Sequence, residues 1–137
     1  MTIKKLVGLG IVVVLVHLLI TTPHSIAHTQ LQIQMNSWQN IYIFAVILLA
    51  PIISAILLWI RPKAGFTLLA ISMAGSLLFG LYYHFIAAGP DNVAQVHTHP
   101  WASTFQISAV LLAVTELAGV VVGLRGVIRT GSSPTVK

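Results

Sequence analysis

The sequence predicts an all-α integral membrane protein, a four-helix bundle with both termini cytoplasmic and two outward-facing loops. Three observations carry this reading. Of 137 residues, 57% are hydrophobic and 7% charged, with a mean hydropathy of +0.96, whereas soluble domains are about 25% charged. The apolar residues fall into four runs, each near the roughly 20 residues that cross a ~30 Å hydrocarbon core. All the lysines and arginines lie at the termini or in the middle connection (Lys4, Lys5, Arg61, Lys63, Arg125, Arg129, Lys137), and neither of the other two connections carries one. So little chain is left outside the spans that residues 1–137 read as one transmembrane domain without a linker.

The first helix is placed at about residues 5–22, behind Lys4 and Lys5. The same stretch also fits a secretory signal cleaved before His28, with Ser25-Ile26-Ala27 as the small-residue site. His17 interrupts the apolar region and favours a retained helix. Residues 21–40 follow as an outer loop of open conformation, because Pro23 can stop a helix or begin a new one. The second helix covers 41–60, with Trp38 and Tyr42 at one water interface and Trp59 at the other. Pro51 lies mid-span and predicts a kink.

The third helix, about 64–88, follows the tight Arg61-Pro62-Lys63 turn. Along it Ser72, Ser76, Gly80 and His84 recur every four residues, a stripe small enough for a neighbouring backbone to approach. Residues 89–103 form the second outer loop, in which Asp91 of Gly-Pro-Asp-Asn reads as a turn residue. The fourth helix, 104–125, carries the close-packing sequence Gly119-Val-Val-Val-Gly123, and residues 130–137 read as a disordered tail.

Positive residues stay on the cytoplasmic side, so the loops face out, on the periplasmic or extracytoplasmic side. The net charge of +5 and pI near 10.1 are thereby explained by topology, and nucleic acid is not an expected partner. The expected surroundings are the lipid bilayer and other membrane subunits or a homo-oligomer.

This orientation puts all six histidines toward one side. His24 and His28 fall in the first outer loop and His97 and His99 in the second. His17 and His84 lie about four residues inside the outer ends of their helices, about 6 Å below the boundary. His17, His24 and His28 are spaced to share a face if the first helix continues through Pro23. An extended backbone at His97-Thr98-His99 sends both imidazoles to the same side. Neutral imidazole ligates copper and zinc, and Met35 is available as a soft ligand. His24, His28, His97 and His99 are therefore the expected metal ligands, with His17 and His84 as additional ligands. Alternatively, His17 and His84 form the axial pair of a b-type haem within the bundle.

Glu116, the membrane-embedded carboxylate, is an intramembrane polar site. It is placed about two thirds of the way toward the cytoplasm, beyond reach of the histidines. The absence of cysteine removes disulfides, thiolate metal sites and iron–sulfur clusters. Without a His-Glu-x-x-His run or a nucleophile turn, hydrolysis is unsupported. The functional expectation is a metal-binding subunit of a membrane redox complex, accessory rather than self-sufficiently catalytic. A haem protein and a cofactor-free structural subunit are the alternatives.

Overall fold

The computed structural model describes residues 1–131, which form helices and their connections with no strand among them. Four helices are long and apolar enough to span a membrane: α1 Ile3–Gln30, α2 Ser37–Ile60, α3 Pro62–Ile86 and α4 Ala102–Gly131. Helix α4 packs along α1 and α3, and α2 lies against α3. Large apolar side chains such as Leu19, Trp59, Ile71, Leu78 and Val114 stand exposed on the outside, as they do where hydrocarbon is the solvent.

The first, second and fourth helices outrun their expected bounds, while α3 begins and ends two residues earlier than expected. Helix α1 does not stop at Pro23 but continues to Gln30. The proline removes one ladder bond, and the adjacent hydroxyls serve carbonyls in the preceding turn: Thr21 Oγ1 donates to His17 O at 2.7 Å and Thr22 Oγ1 to Leu18 O at 3.0 Å. In a bilayer, Ser and Thr make an interior proline tolerable in this way. The helix ends in a Schellman motif: Gln32 takes the left-handed conformation (φ 54), Gln32 N–H donates to Thr29 O and Ile33 N–H to His28 O. Ile33 then packs on Ala27, the apolar contact that accompanies this stop. The first loop thus shrinks to residues 31–36. Asn36 caps α2 through a reciprocal capping box with Gln39, which starts that helix at Ser37 rather than at residue 41.

Pro51 is accommodated by a change of winding. Residues Ile43–Leu49 are π-helical, and Ala50 N–H donates to Ala45 O. A π stretch absorbs the bond that proline cannot make. The last turn of α3, Tyr82–Ile86, is also π-helical and carries His84. At the other end, Thr130 and Gly131 complete α4, with Thr130 Oγ1 bonded to Gly126 O at 2.8 Å. These two residues are helical where a tail was expected, and the remainder of that tail, 132–137, lies outside the described residues.

The interior is layered along the bundle. Leu6, Val13, Val14, Leu58, Phe66, Leu69, Met73 and Val122 close the half nearer the termini, and Ala27, Ile33 and Phe105 close the loop end. Between them lie buried polar side chains from α1, α3, α4 and the 87–101 loop. The two loops at this end do not splay: Val93 and Val96 of one and Leu31 and Met35 of the other pack on the same small core. Close packing of α3 on α4 rests on glycine, as the Gly119 and Gly123 spacing anticipates. A Cβ on Gly123 would meet Ala70 N at 2.7 Å, and one on Gly119 would meet Met73 Cγ at 2.6 Å. Gly123→Ala is expected to lower stability by about 1–3 kcal/mol, because backbone must shift. Gly8→Ala, where a Cβ meets nothing within 4 Å, is expected to leave the unfolding midpoint in detergent unchanged.

Candidate metal centre

Three imidazoles converge at the loop end of the bundle. His24 and His28 stand one turn apart on α1, and His84 approaches from the π turn of α3. Ring centroids of His24 and His84 are 4.9 Å apart, and those of His28 and His84 are 5.7 Å apart. His24 Nε2 lies 3.3 Å from His84 Nε2 and 3.2 Å from His28 Nε2. Four nitrogens around a tetrahedral zinc at about 2.0–2.1 Å stand ~3.3–3.4 Å from one another, so these spacings are those of ligands on one ion. His24, His28 and His84 can hold a metal ion, their ligand atoms all lying within 4.8 Å of one another.

The hydrogen bonds around the rings decide which nitrogens are bare. Ser108 Oγ lies 2.8 Å from His24 Nδ1 and 2.6 Å from Thr104 O. Its one proton serves the backbone carbonyl, so toward His24 it accepts, and the proton sits on Nδ1. His84 Nδ1 lies 3.1 Å from Asp91 O, another acceptor, and so carries its proton too. With both rings neutral, unprotonated Nε2 atoms face each other at 3.3 Å. Two lone pairs at that distance repel unless a proton on one ring or a metal ion lies between them. In metal sites, a partner on the far nitrogen fixes the tautomer in the same way.

A second feature points to positive charge at the same place. Asp91 Oδ1 is 3.2 Å from His28 Nε2 and 3.1 Å from His84 Nδ1. Both carboxylate oxygens are buried, yet neither receives a hydrogen bond of good geometry. A buried carboxylate without donors is costly unless a charge compensates it. Phe105, fully buried, forms the apolar wall: its ring stacks on His24 at 5.3 Å and meets His28 and His84 at 5.1 and 5.4 Å. The loop bearing Asp91 is pinned by Val93 N–H on His84 O, by Asn92 Nδ2 on Ala87 O and by Gln106 Nε2 on Val93 O and Val96 O.

The structure brings His24 and His28 together with His84 and leaves His97 and His99 outside the group. The chain bends at Thr98 and His99 instead of running extended, both histidines are exposed, and His99 Nδ1 accepts Trp101 N–H at 3.2 Å where α4 begins. His17 is not four residues below the outer boundary, because α1 continues to Gln30. It lies about 20 Å below that end, and Glu116 about 21 Å below the start of α4. The two are therefore level, and Glu116 is not beyond reach of the histidines: His17 Nε2 is 3.3 Å from Glu116 Oε1, both residues buried. His17 and His84, expected at matched depth, thus sit at different levels with different partners.

Sequence reasoning passed over Phe105 and Ser108 and assigned Asp91 to a turn. Ser108 had a weak signal, since eight residues before Glu116 places it about 80° away on the same broad side of α4. Asp91 had none, because its position depends on how the loop folds back over His84.

Below the histidines a cavity of about 270 Å³ runs between the helices, lined by His24, His28, His84, Gly80, Leu112 and Glu116 among others. Glu116 lines it, and His17 holds Glu116 from outside the lining at 3.3 Å. His17→Leu removes the partner of a buried carboxyl and is expected to destabilise the fold by about 1–3 kcal/mol. Glu116→Gln keeps a hydrogen-bonding group facing His17, and its unfolding midpoint in detergent should fall by less than half as much. The chain matches no family model, no curated protein and no solved structure, so the site is read from its own geometry.

Proposed function

We propose that this is a multi-pass membrane protein that binds one transition-metal ion, zinc or copper, through Nε2 of His24, His28 and His84, with Asp91 beside them. The observation that carries the reading is the convergence of three Nε2 atoms, that of His24 lying 3.3 Å from that of His84 and 3.2 Å from that of His28. Three imidazoles without thiolate suit zinc and copper(II) alike. This donor set takes His84 in place of the loop pair His97 and His99. The distribution of Lys and Arg supports placing the site on the extracytoplasmic side. With copper bound, a redox role would draw its electrons from a partner, residues 1–137 holding no cysteine. We therefore propose a role as the metal-binding subunit of a membrane redox complex.

Elemental analysis of the protein purified in detergent is expected to give one zinc or copper per chain. His24→Ala and His84→Ala should each abolish this, and the double variant His97→Ala/His99→Ala should keep it. A protein without metal, or one that loses it only in the loop variant, would overturn the reading. Protons compete for the same lone pairs, so affinity should fall as the pH is lowered. Ser108→Ala, which removes the acceptor at His24 Nδ1, should weaken metal binding by about 10–100-fold in a competition titration, as loss of outer hydrogen-bond partners does elsewhere.

A further inference from the structure

A metal held only for stability is enclosed by its ligands, whereas one that acts on an exogenous molecule keeps a position open toward a cavity. Here the three histidines form one end of a cavity whose other end is Glu116, with Phe79, Ile43, Ile47 and Leu112 as apolar wall between them. Ser25, Thr29 and Asn40 line the same cavity and are exposed, so it reaches the surface between the end of α1 and the start of α2. Toward the termini it is blind, because the core of Leu6, Val13, Val14, Leu58, Phe66, Leu69, Met73 and Val122 seals that half. A through-passage for ions is therefore not what the fold builds. Gly80 sits between the two polar ends: a Cβ there would lie 3.8 Å from His84 Cδ2 and 3.9 Å from Glu116 Oε2. The missing side chain keeps the space between metal site and carboxyl open.

We propose, building on the metal reading above, that this cavity is the binding site of a small organic molecule. Its ligand has a metal-coordinating group at one end, a short apolar body, and a hydrogen-bond donor, an amine or hydroxyl, that Glu116 accepts at the other. The volume of about 270 Å³ lies just under the range of about 300–1,000 Å³ that takes drug-sized ligands, so the molecule is smaller than those. His17 positions Glu116 by holding Oε1 at 3.3 Å, leaving Oε2 on the side of Gly80.

The test uses the full chain in detergent, loaded with Co(II), whose visible bands report its ligands. Titration with azide and with short alkyl hydroxamates should shift those bands saturably. Hydroxamates ending in an amine should bind about tenfold more tightly than methyl-ended ones, and Glu116→Gln should erase that preference while Co(II) still binds. Gly80→Ala, whose Cβ makes only ordinary contacts, should bind Co(II) and the shortest hydroxamates as the parent does. Gly80→Leu should still bind Co(II) but lose the longer hydroxamates. Co(II) bands indifferent to every probe, or equal binding of all hydroxamates in Gly80→Leu, would overturn the inference while leaving the metal site standing. Failure of Co(II) to bind at all would overturn both.

Discussion

The convergence of three imidazoles on one point is the constraint the structure depends on, and much of the loop end is built to enforce it. Ser108 and the Asp91 carbonyl hold the protons of His24 and His84 on the far nitrogens. Phe105 backs all three rings. The cost of leaving lone pairs and a carboxylate without donors is of the order of a kcal/mol or more for each group. Three rings held this way could bind a metal ion.

Backbone irregularities deliver the three histidines to that point. The passage of α1 through Pro23 keeps His24 and His28 in helical register with His17, one face carrying all three. The Schellman stop immediately afterwards turns Ile33 back onto Ala27 and brings the first loop over the site. The π turn at Tyr82–Ile86 presents His84, and the loop behind it folds back so that Asp91 reaches the rings. Meanwhile glycines at the α3–α4 crossing allow close backbone approach, which gives rigidity where the hydrophobic effect offers little because the outer solvent is itself apolar.

The class of fold was legible because it depends on properties that add up along the chain. Run length, the paucity of charge and the aromatic flanks of α2 need no knowledge of tertiary contacts. The Ser72-Ser76-Gly80-His84 stripe was legible for the same reason, since a four-residue repeat fixes a face. What the sequence hid were the ends of helices and everything that follows from them. Pro23 is a stop signal in water and a tolerated residue in a bilayer, and the choice between these moved His24 and His28 from a loop into a helix. It also moved His17 to the middle of the bundle, level with Glu116. His99 looked like half of a chelate and instead accepts Trp101 N–H at the start of α4. Asp91 looked like a turn residue and also faces two imidazoles, because the fold of a 15-residue-scale loop is set by contacts such as Gln106 on Val93 and Val96 rather than by local propensity.

The claim on which the rest depends is that imidazoles from α1 and α3 share one ion. X-ray absorption at the metal edge of the zinc- or copper-loaded protein addresses it directly. The account predicts about three imidazole nitrogens near 2.0–2.1 Å, with the outer-ring scattering that identifies histidine and no sulfur shell. A first shell of oxygen alone, or one with a single imidazole, would contradict it.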